Sequence, residues 1–205
     1  MKQNDFDGIA KWYDRLASLV FGDAIKKSQC FFLDELPTEG KVLIIGGGSG
    51  WILEEIAQVR PGLIIDYVEA SSKMIALSEE RMTTATNIRF VHGTEADIPA
   101  TKYDGIITNF FLDVFEENKL LEVMRLLKMK LRQGGLWLCT DFHKTGKLSH
   151  KLLLEAMHLF FGTISNLNAK RLLNFEMEFY KLNFRKSKDK NFYHGMIKTA
   201  VYRPI

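Results

Sequence analysis

The chain has 205 residues, 46% of them hydrophobic and 26% charged, with only four prolines, a composition that suits one globular domain and excludes a low-complexity or disordered chain. No window approaches the roughly eighteen unbroken apolar residues of a membrane-spanning helix, and the polar, mixed-charge opening Met1–Asp7 is not a secretory signal. The net charge of +3 is uneven: residues 165–205 hold nine Lys/Arg against three Asp/Glu, which is +6, and the remainder holds 19 against 22, which is −3.

In chain order, residues 8–36 read as one or two helices, with Ile9, Trp12, Tyr13, Leu16, Leu19 and Val20 on one face. After Pro37 and Gly40, the continuous apolar run KVLIIG, 41–46, predicts a strand covered on both faces. Ser49 is placed to cap a helix through WILEEIAQV that stops before Pro61. GLIIDYVEA, 62–70, is a second strand and SKMIALSEERM, 72–82, a second helix. NIRFVHG, 87–93, and YDGIITNFF, 103–111, are further strands. A helix over about 116–131 and the strand GGLWLCTDF, 134–142, follow. Strands alternating with helices imply right-handed crossovers and a parallel, doubly wound sheet.

The last third differs. After a helix over 149–162, FEMEFYKLNFR and FYHGMIKTAVY read as two long strands. The basic stretch RKSKDKN, 185–191, between them reads as a solvated loop of an antiparallel edge hairpin rather than a nucleic-acid surface. Cys30 and Cys139 match no metal spacing and read as reduced thiols of a cytoplasmic protein.

The first strand runs into Gly46-Gly47-Gly48-Ser49-Gly50-Trp51. A dinucleotide fingerprint, G-x-G-x-x-G, would need its third glycine where Trp51 stands, and no Lys-Ser/Thr pair follows to make a P-loop. The segment matches G-x-G-x-G instead, a sharp turn with no Cβ to obstruct a flat ligand lying along the backbone. Nineteen residues after Gly50, Glu69 ends the second strand, where a carboxylate can accept both hydroxyls of a ribose. HGTEADIP offers a polar turn after the third strand.

VLIIGGGSG, YVEASSKMI, HGTEADIP, YDGIITNFF and LRQGGLWLCTDF occur in the order and at the spacing of the class I S-adenosylmethionine-dependent methyltransferases, which residues 40–142 resemble. The opening FDGIAKWYDRL looks like the N-terminal helix of that family's small-molecule branch, which includes quinone-biosynthesis enzymes. The resemblance implies a Rossmann-like, seven-stranded sheet, mostly parallel with a C-terminal antiparallel hairpin. A single domain would then divide into a helical cap (1–38), a cofactor-binding core (39–145) and a helix plus edge hairpin (146–205). It implies S-adenosyl-L-methionine as cofactor, with Gly46, Gly47, Gly48 and Gly50 along its methionyl and ribose part and Glu69 on the ribose hydroxyls. Ala70, Ser71 and Met74 would pack near the adenine, and Thr94 and Glu95 would address its edge. Asn109, Phe110 and Phe111 would sit by the methionyl group and the reacting methyl. Two positions depart from the family pattern: Ile44 stands where an acid is usual, and Thr94 where Asp often stands.

NFFLD lacks the Asn/Asp-Pro-Pro-aromatic sequence of enzymes that methylate exocyclic or amide nitrogens, and the basic tail contains no nucleic-acid module, so nucleic acid is not the expected partner. Trp12, Tyr13, Phe110, Phe111, Phe142, Met157, Phe160 and Phe161 point to a small, apolar or aromatic acceptor methylated on oxygen or carbon. His143, just past the fifth strand, Asp113 and Asp141 are candidate bases, and Tyr13 is placed to close over the cofactor. No His/Cys/carboxylate cluster suggests a metal. A monomer or homodimer is expected. The alternatives are a cofactor-binding homologue without methyl transfer, motivated by Ile44 and Thr94, a nicotinamide-dependent oxidoreductase, which Trp51 opposes, and a nucleic-acid methyltransferase.

Overall fold

A computed structural model describes residues 20–82, 87–143, 145 and 175–205. Its strands are β1 (Glu39–Ile45), β2 (Gly62–Glu69), β3 (Ile88–His92), β4 (Tyr103–Asn109), β5 (Leu131–Phe142), β6 (Phe184–Phe192) and β7 (Ile197–Pro204). The described helices are α1 (Ala24–Cys30), α2 (Trp51–Val59), α3 (Ser72–Arg81), α4 (Glu117–Lys130) and α5 (Phe175–Lys181). The strands form one sheet in the order β3-β2-β1-β4-β5-β7-β6. β1 to β5 pair in parallel, and β7 runs antiparallel to both β5 and β6. The doubly wound, seven-stranded sheet expected from the sequence is therefore the architecture.

Alternation along each strand divides the core into two layers. Leu43, Ile45, Ile106 and Trp137 face α4 and α5, packing on Leu120, Val123, Met124, Leu127 and Phe179. Val42, Ile44, Ile65 and Ile107 face the other side, packing on Ile52, Leu53, Ile56 and Ile75 of α2 and α3. The buried residues of α4 recur at i, i+3, i+4 and i+7, which is why that segment is helical.

Three expectations about local structure are corrected. The N-cap position of α2 belongs to Gly50, in the left-handed region at φ 78°, and Ser49 precedes it. Phe175–Lys181 is helical where the sequence suggested a strand. Its alternating Phe175, Met177 and Phe179 mimic a strand period, but only Phe179 is fully buried and Met177 is exposed. Burying Phe179 against Trp137, Phe184 and Tyr202 takes one side of the helix, with Glu178 buried beside it, and leaves Met177 and Tyr180 exposed. The basic stretch 185–191 lies within β6, and the turn of the hairpin is Tyr193–Gly195 instead.

β6 is the sheet edge, and its lysines suit that place because charge on an edge strand discourages pairing with another chain. They are also partnered. Lys186 meets Glu176 at 2.8 Å and Asp189 at 3.3 Å, Lys198 meets Glu176 at 3.0 Å, and Lys188 and Arg203 meet Glu35. The basic excess of the tail is thus largely an ion-pair network within the fold. Among the described residues no helix is long and apolar enough to cross a membrane.

Trp137 joins the two C-terminal strands to the parallel core, since its indole N–H donates to Thr108 Oγ1 at 2.9 Å and its ring meets Phe179 and Phe184 edge-on. Trp137→Ala is expected to destabilise the fold by about 3–5 kcal/mol. Trp137→Phe keeps most of the ring but removes the donor to Thr108 Oγ1, whose hydroxyl still meets Cys139, with an expected loss of about 0.5–1.5 kcal/mol. Urea unfolding of both variants measures the two terms separately.

Candidate active site

The strand order reverses at β1, with β2 on one side and β4 on the other. A crevice beyond the strand C-termini is expected there. The structure has such a cleft, lined by the loop Gly46–Ser49 after β1, Glu69 and Ala70 after β2, Gly93–Glu95 after β3 and Asn109–Phe111 after β4. Its volume of about 180 Å³ far exceeds the roughly 10–15 Å³ that one water requires, so the space suits an organic ligand.

The floor is a lock around Gly48. Glu69 Oε2 accepts the Gly48 N–H at 2.9 Å, and Glu69 Oε1 accepts the Ser71 N–H at 2.9 Å. On the other side of the same residue, the Gly48 carbonyl accepts from the Tyr67 hydroxyl at 2.8 Å, with Ser78 Oγ at 3.1 Å. Gly48 has φ 66° and open space where a Cβ would stand, so conformation is the reason for glycine there. Gly47 is glycine for another reason: a Cβ would lie 2.2 Å from the Tyr67 ring. The residues of the loop thus divide between shaping the backbone and admitting the tyrosine that holds it.

Glu69 is 8% exposed, and burial pushes its carboxyl up, opposed by the N–H groups of Ser71 and Gly48. The Ala70 N–H is a third backbone donor to this carboxylate, and of its roughly four lone-pair sites at least one remains for a further donor. Ser71 also caps α3, its hydroxyl accepting the Met74 N–H at 3.2 Å. That cap brings Met74 and Ala70 to the cleft wall.

The opposite wall is the turn after β4. Phe110 has φ 51°, a left-handed conformation that a non-glycine residue adopts at a cost. The Phe110 N–H donates to Thr140 O at 2.8 Å, and its ring packs on Phe142 at 4.8 Å. Phe142 continues into an apolar cluster with Phe21, Met196 and Ile197. Asn109 lines the cleft, and its Oδ1 is buried without a hydrogen-bond partner.

Beneath that turn, Asp141 Oδ2 accepts the Leu112 N–H at 3.1 Å and Oδ1 accepts the Phe142 N–H at 2.9 Å. A side-chain hydrogen bond joins Asp141 to Asp113, so the two carboxyls share a proton. Asp113 is not among the residues lining the cleft. Its place is structural support for the wall that contains Phe110 and Phe111. His143 is half-buried past β5, its N–H donating to Met196 O at 2.8 Å. Burial, with Lys198 next, holds its imidazole below the usual range, which favours the neutral form.

The structure brings to one cleft every proposed cofactor residue except Gly50 and Ser71, which support it from the start of α2 and the start of α3. Tyr13 lies outside the described residues, as do Trp12, Met157, Phe160 and Phe161. Gln29 of α1, with Ser49, Trp51, Val114 and Phe115, also lines the cleft. Gln29 could not be found from the sequence, because nothing local marks which side of an N-terminal helix will face a loop twenty residues away. Ile44 lines the cleft too and is 2% exposed, so no carboxylate stands at that point of the wall.

Comparison with known proteins agrees with this geometry. A family model described as a methyltransferase domain matches residues 42–135. A malonyl-[acyl-carrier protein] O-methyltransferase 2 of Ilyobacter polytropus is 30% identical over 141 residues, covering 68% of this chain and 53% of that protein. A malonyl-[acyl-carrier protein] O-methyltransferase of Halalkalibacterium halodurans is 29% identical over 120 residues, 54% of this chain and 44% of the other. The chain thus spans about half the length of these curated relatives. In fold, it is similar to the 1,6-didemethyltoxoflavin-N1-methyltransferase of Burkholderia thailandensis, solved with bound 1,6-didemethyltoxoflavin and S-adenosylhomocysteine. The TM-score is 0.70 at 14% identity, over 97% of this chain and 85% of that one.

The paired carboxylates of Asp113 and Asp141 make a stability prediction with a definite sign. Burial pushes the Asp113 carboxyl up to about 6. It also holds Asp141 well above its usual range, with the charge of Asp113 the next cause. Because folding raises these values, the pair's contribution is complete below the unfolded carboxylate range and is lost as pH rises through about 6. Asp113→Asn is expected to match wild type at about pH 4 and to exceed it by on the order of 1–3 kcal/mol at about pH 8. Urea unfolding at both pH values reads the difference, and parallel pH profiles for the two proteins would show that folding does not shift the Asp113 carboxyl. The match in geometry, motif order and family model has one conclusion: residues 42–135 carry a methyltransferase domain of the class I S-adenosylmethionine-dependent type.

Proposed function

We propose that the protein transfers a methyl group from S-adenosylmethionine to an oxygen or carbon of a small, apolar or aromatic molecule. The observation that carries this reading is the lock around Gly48, which orients a glycine loop and a buried carboxylate toward one cleft. Glu69 has acceptor capacity for vicinal hydroxyls, and the loop beside it has no Cβ at Gly48 to hold a flat ligand away. The cofactor's sulfonium supplies the methyl group when bound. The protein's part is alignment and the exclusion of water.

Phe110 and the Phe142 cluster behind it form an apolar wall next to Asn109, which supports an acceptor with a hydrophobic body. The curated relatives are named for a malonyl group on a carrier protein. Among the described lining residues there are two carboxylates, Glu69 and Glu95, and neither Lys nor Arg. That charge balance supports an uncharged acceptor over an acidic one. Of the three proposed catalytic residues, His143 keeps the neutral imidazole that a proton acceptor needs, but like Asp113 it is not among the residues lining the cleft. The Asp113 carboxyl is already engaged by Asp141.

Calorimetric titration with S-adenosylhomocysteine tests the cofactor site. Wild type is expected to bind with micromolar affinity, and Glu69→Ala at least about tenfold more weakly, since charge-assisted bonds to the ribose are lost. A thermal melt of the variant checks that it folds. Failure of well-folded wild type to bind would overturn the reading. Binding without transfer to a panel of phenols, enolisable ketones and malonyl thioesters would leave a cofactor-binding protein without methyltransferase activity, a result that the Ile44 and Thr94 departures would explain.

A further inference from the structure

Asp113 and Asp141 stand behind the cleft, and the fold ties them to its wall. Three consecutive residues at the end of β5 hold the turn that follows β4. Thr140 O accepts the Phe110 N–H at 2.8 Å, Asp141 Oδ2 accepts the Leu112 N–H at 3.1 Å, and the Phe142 ring packs on Phe110 at 4.8 Å. Phe110 keeps its left-handed φ of 51° within that grip. Phe111 lies directly against the glycine loop, since a Cβ on Gly46 would stand 2.5 Å from its ring. A shift of the turn is therefore felt at Asn109 and at the glycine loop together.

The bond between the two carboxyls depends on one proton. Asp141 Oδ1 accepts the Phe142 N–H at 2.9 Å, and the Asp113 N–H also bonds Asp141. Asp113 has one backbone donor, its own N–H, and its Oδ1 is buried without a partner among the described residues. An ionised carboxylate cannot donate, so the proton of the pair sits on Asp113 and points to Asp141. Without it, two anions meet in a dry site. Among the described residues no cation bonds either carboxyl. Lys198 of β7 lies opposite Asp141 in register, but its ammonium is 3.0 Å from Glu176 and 3.6 Å from Asp189. Lys119 of α4 is bonded to Glu95 at 2.8 Å. Burial favours the neutral forms of the Cys139 thiol and the His143 imidazole.

β5 is paired on both sides, with β4 and with β7, so Asp141 has little freedom to retreat from a second charge. Asp113 belongs to a single helical turn, Leu112–Val114, and that turn is the part that yields. Its retreat draws the Leu112 N–H from Asp141 and Phe111 from Gly46. Resting on the cofactor reading above, we propose that Asp113 and Asp141 are positioning residues: the proton held between them keeps the Asn109–Phe111 wall against the glycine loop, and its loss loosens that wall and weakens ligand binding. Neither carboxyl lines the cleft, so both act through the turn and not on the reacting atoms.

The experiment titrates wild type and Asp113→Asn with S-adenosylhomocysteine by calorimetry across a range of pH. The asparagine amide donates to Asp141 at every pH, so the variant holds the wall permanently. The ratio of the two affinities cancels the titration of the ligand and of Glu69, which are common to both proteins. Wild type is expected to match the variant at about pH 5 and to bind about tenfold more weakly at about pH 8. By reciprocity, binding to wild type at about pH 6.5 takes up roughly half a proton more than binding to the variant, read from titrations in buffers of different ionisation enthalpy. A purely structural role would change the melting temperature and leave both readouts flat. A ratio that stays constant across the range, or a variant that binds more weakly than wild type at its alkaline end, overturns the proposal and leaves the cofactor site intact. Absence of binding by either protein at every pH overturns the cofactor reading and this proposal together.

Discussion

The buried carboxylate of Glu69 is the constraint on which the site depends. Its two oxygens accept the N–H groups of Gly48 and Ser71, which belong to different βα connections. One side chain therefore fixes the glycine loop after β1 relative to the start of α3. Taking a carboxylate out of water is costly unless donors surround it. Those donors are backbone groups, which cannot rotate away, so the loop and the carboxylate order each other. Tyr67 completes the arrangement from the same strand, two residues earlier and hence on the same face of β2. Its hydroxyl reaches the Gly48 carbonyl only because Gly47 has no Cβ. The lock is built from β2 and the loop it holds, independently of any ligand.

The opposite wall is held by a different chemistry. Phe110 sits in the left-handed region, and the turn that contains it is tied down by the Asp141 carboxyl beneath it. A second carboxyl, Asp113, is pressed against the first and is tolerated because a shared proton removes one of the two charges. The cleft therefore has one wall ordered by an ionic acceptor of N–H groups and another ordered by a proton-sharing pair. Burial raises the carboxyls of both walls, which stand only a few strands apart.

The C-terminal hairpin finishes the sheet by exposing charge. β6 is lined with lysines whose partners, Glu35, Glu176 and Asp189, come from α5, the hairpin itself and the turn before β1. An exposed edge needs such protection, and ion pairs on a solvated surface contribute little stability individually. Their value lies in keeping the edge unattractive to other strands. The apolar contribution of this region comes instead from Phe179 stacked on Tyr202 at 3.7 Å, behind Trp137.

The parallel half of the fold was legible because its strands are apolar runs bounded by Gly or Pro, and its helices carry a 3.6-residue stripe. Gly46–Gly50 and Glu69 were legible as a site because a sharp turn and a strand-end acid occur at a spacing set by one helix. By itself, then, the sequence determined the order of elements, the two-sided burial of the sheet and which residues stand at strand ends. It was ambiguous wherever two periods fit the same residues, as in FEMEFYK, and wherever an edge strand resembles a loop, as in RKSKDKN. Only the tertiary structure decided that Phe179 buries against Trp137, that Gln29 faces the loop, that Asp113 bonds Asp141, and that Glu95 meets Lys119 of α4. Each of these pairs residues far apart in the chain or on different elements. Local periodicity records which face of an element is apolar, but which side chain meets which is settled when the layers close.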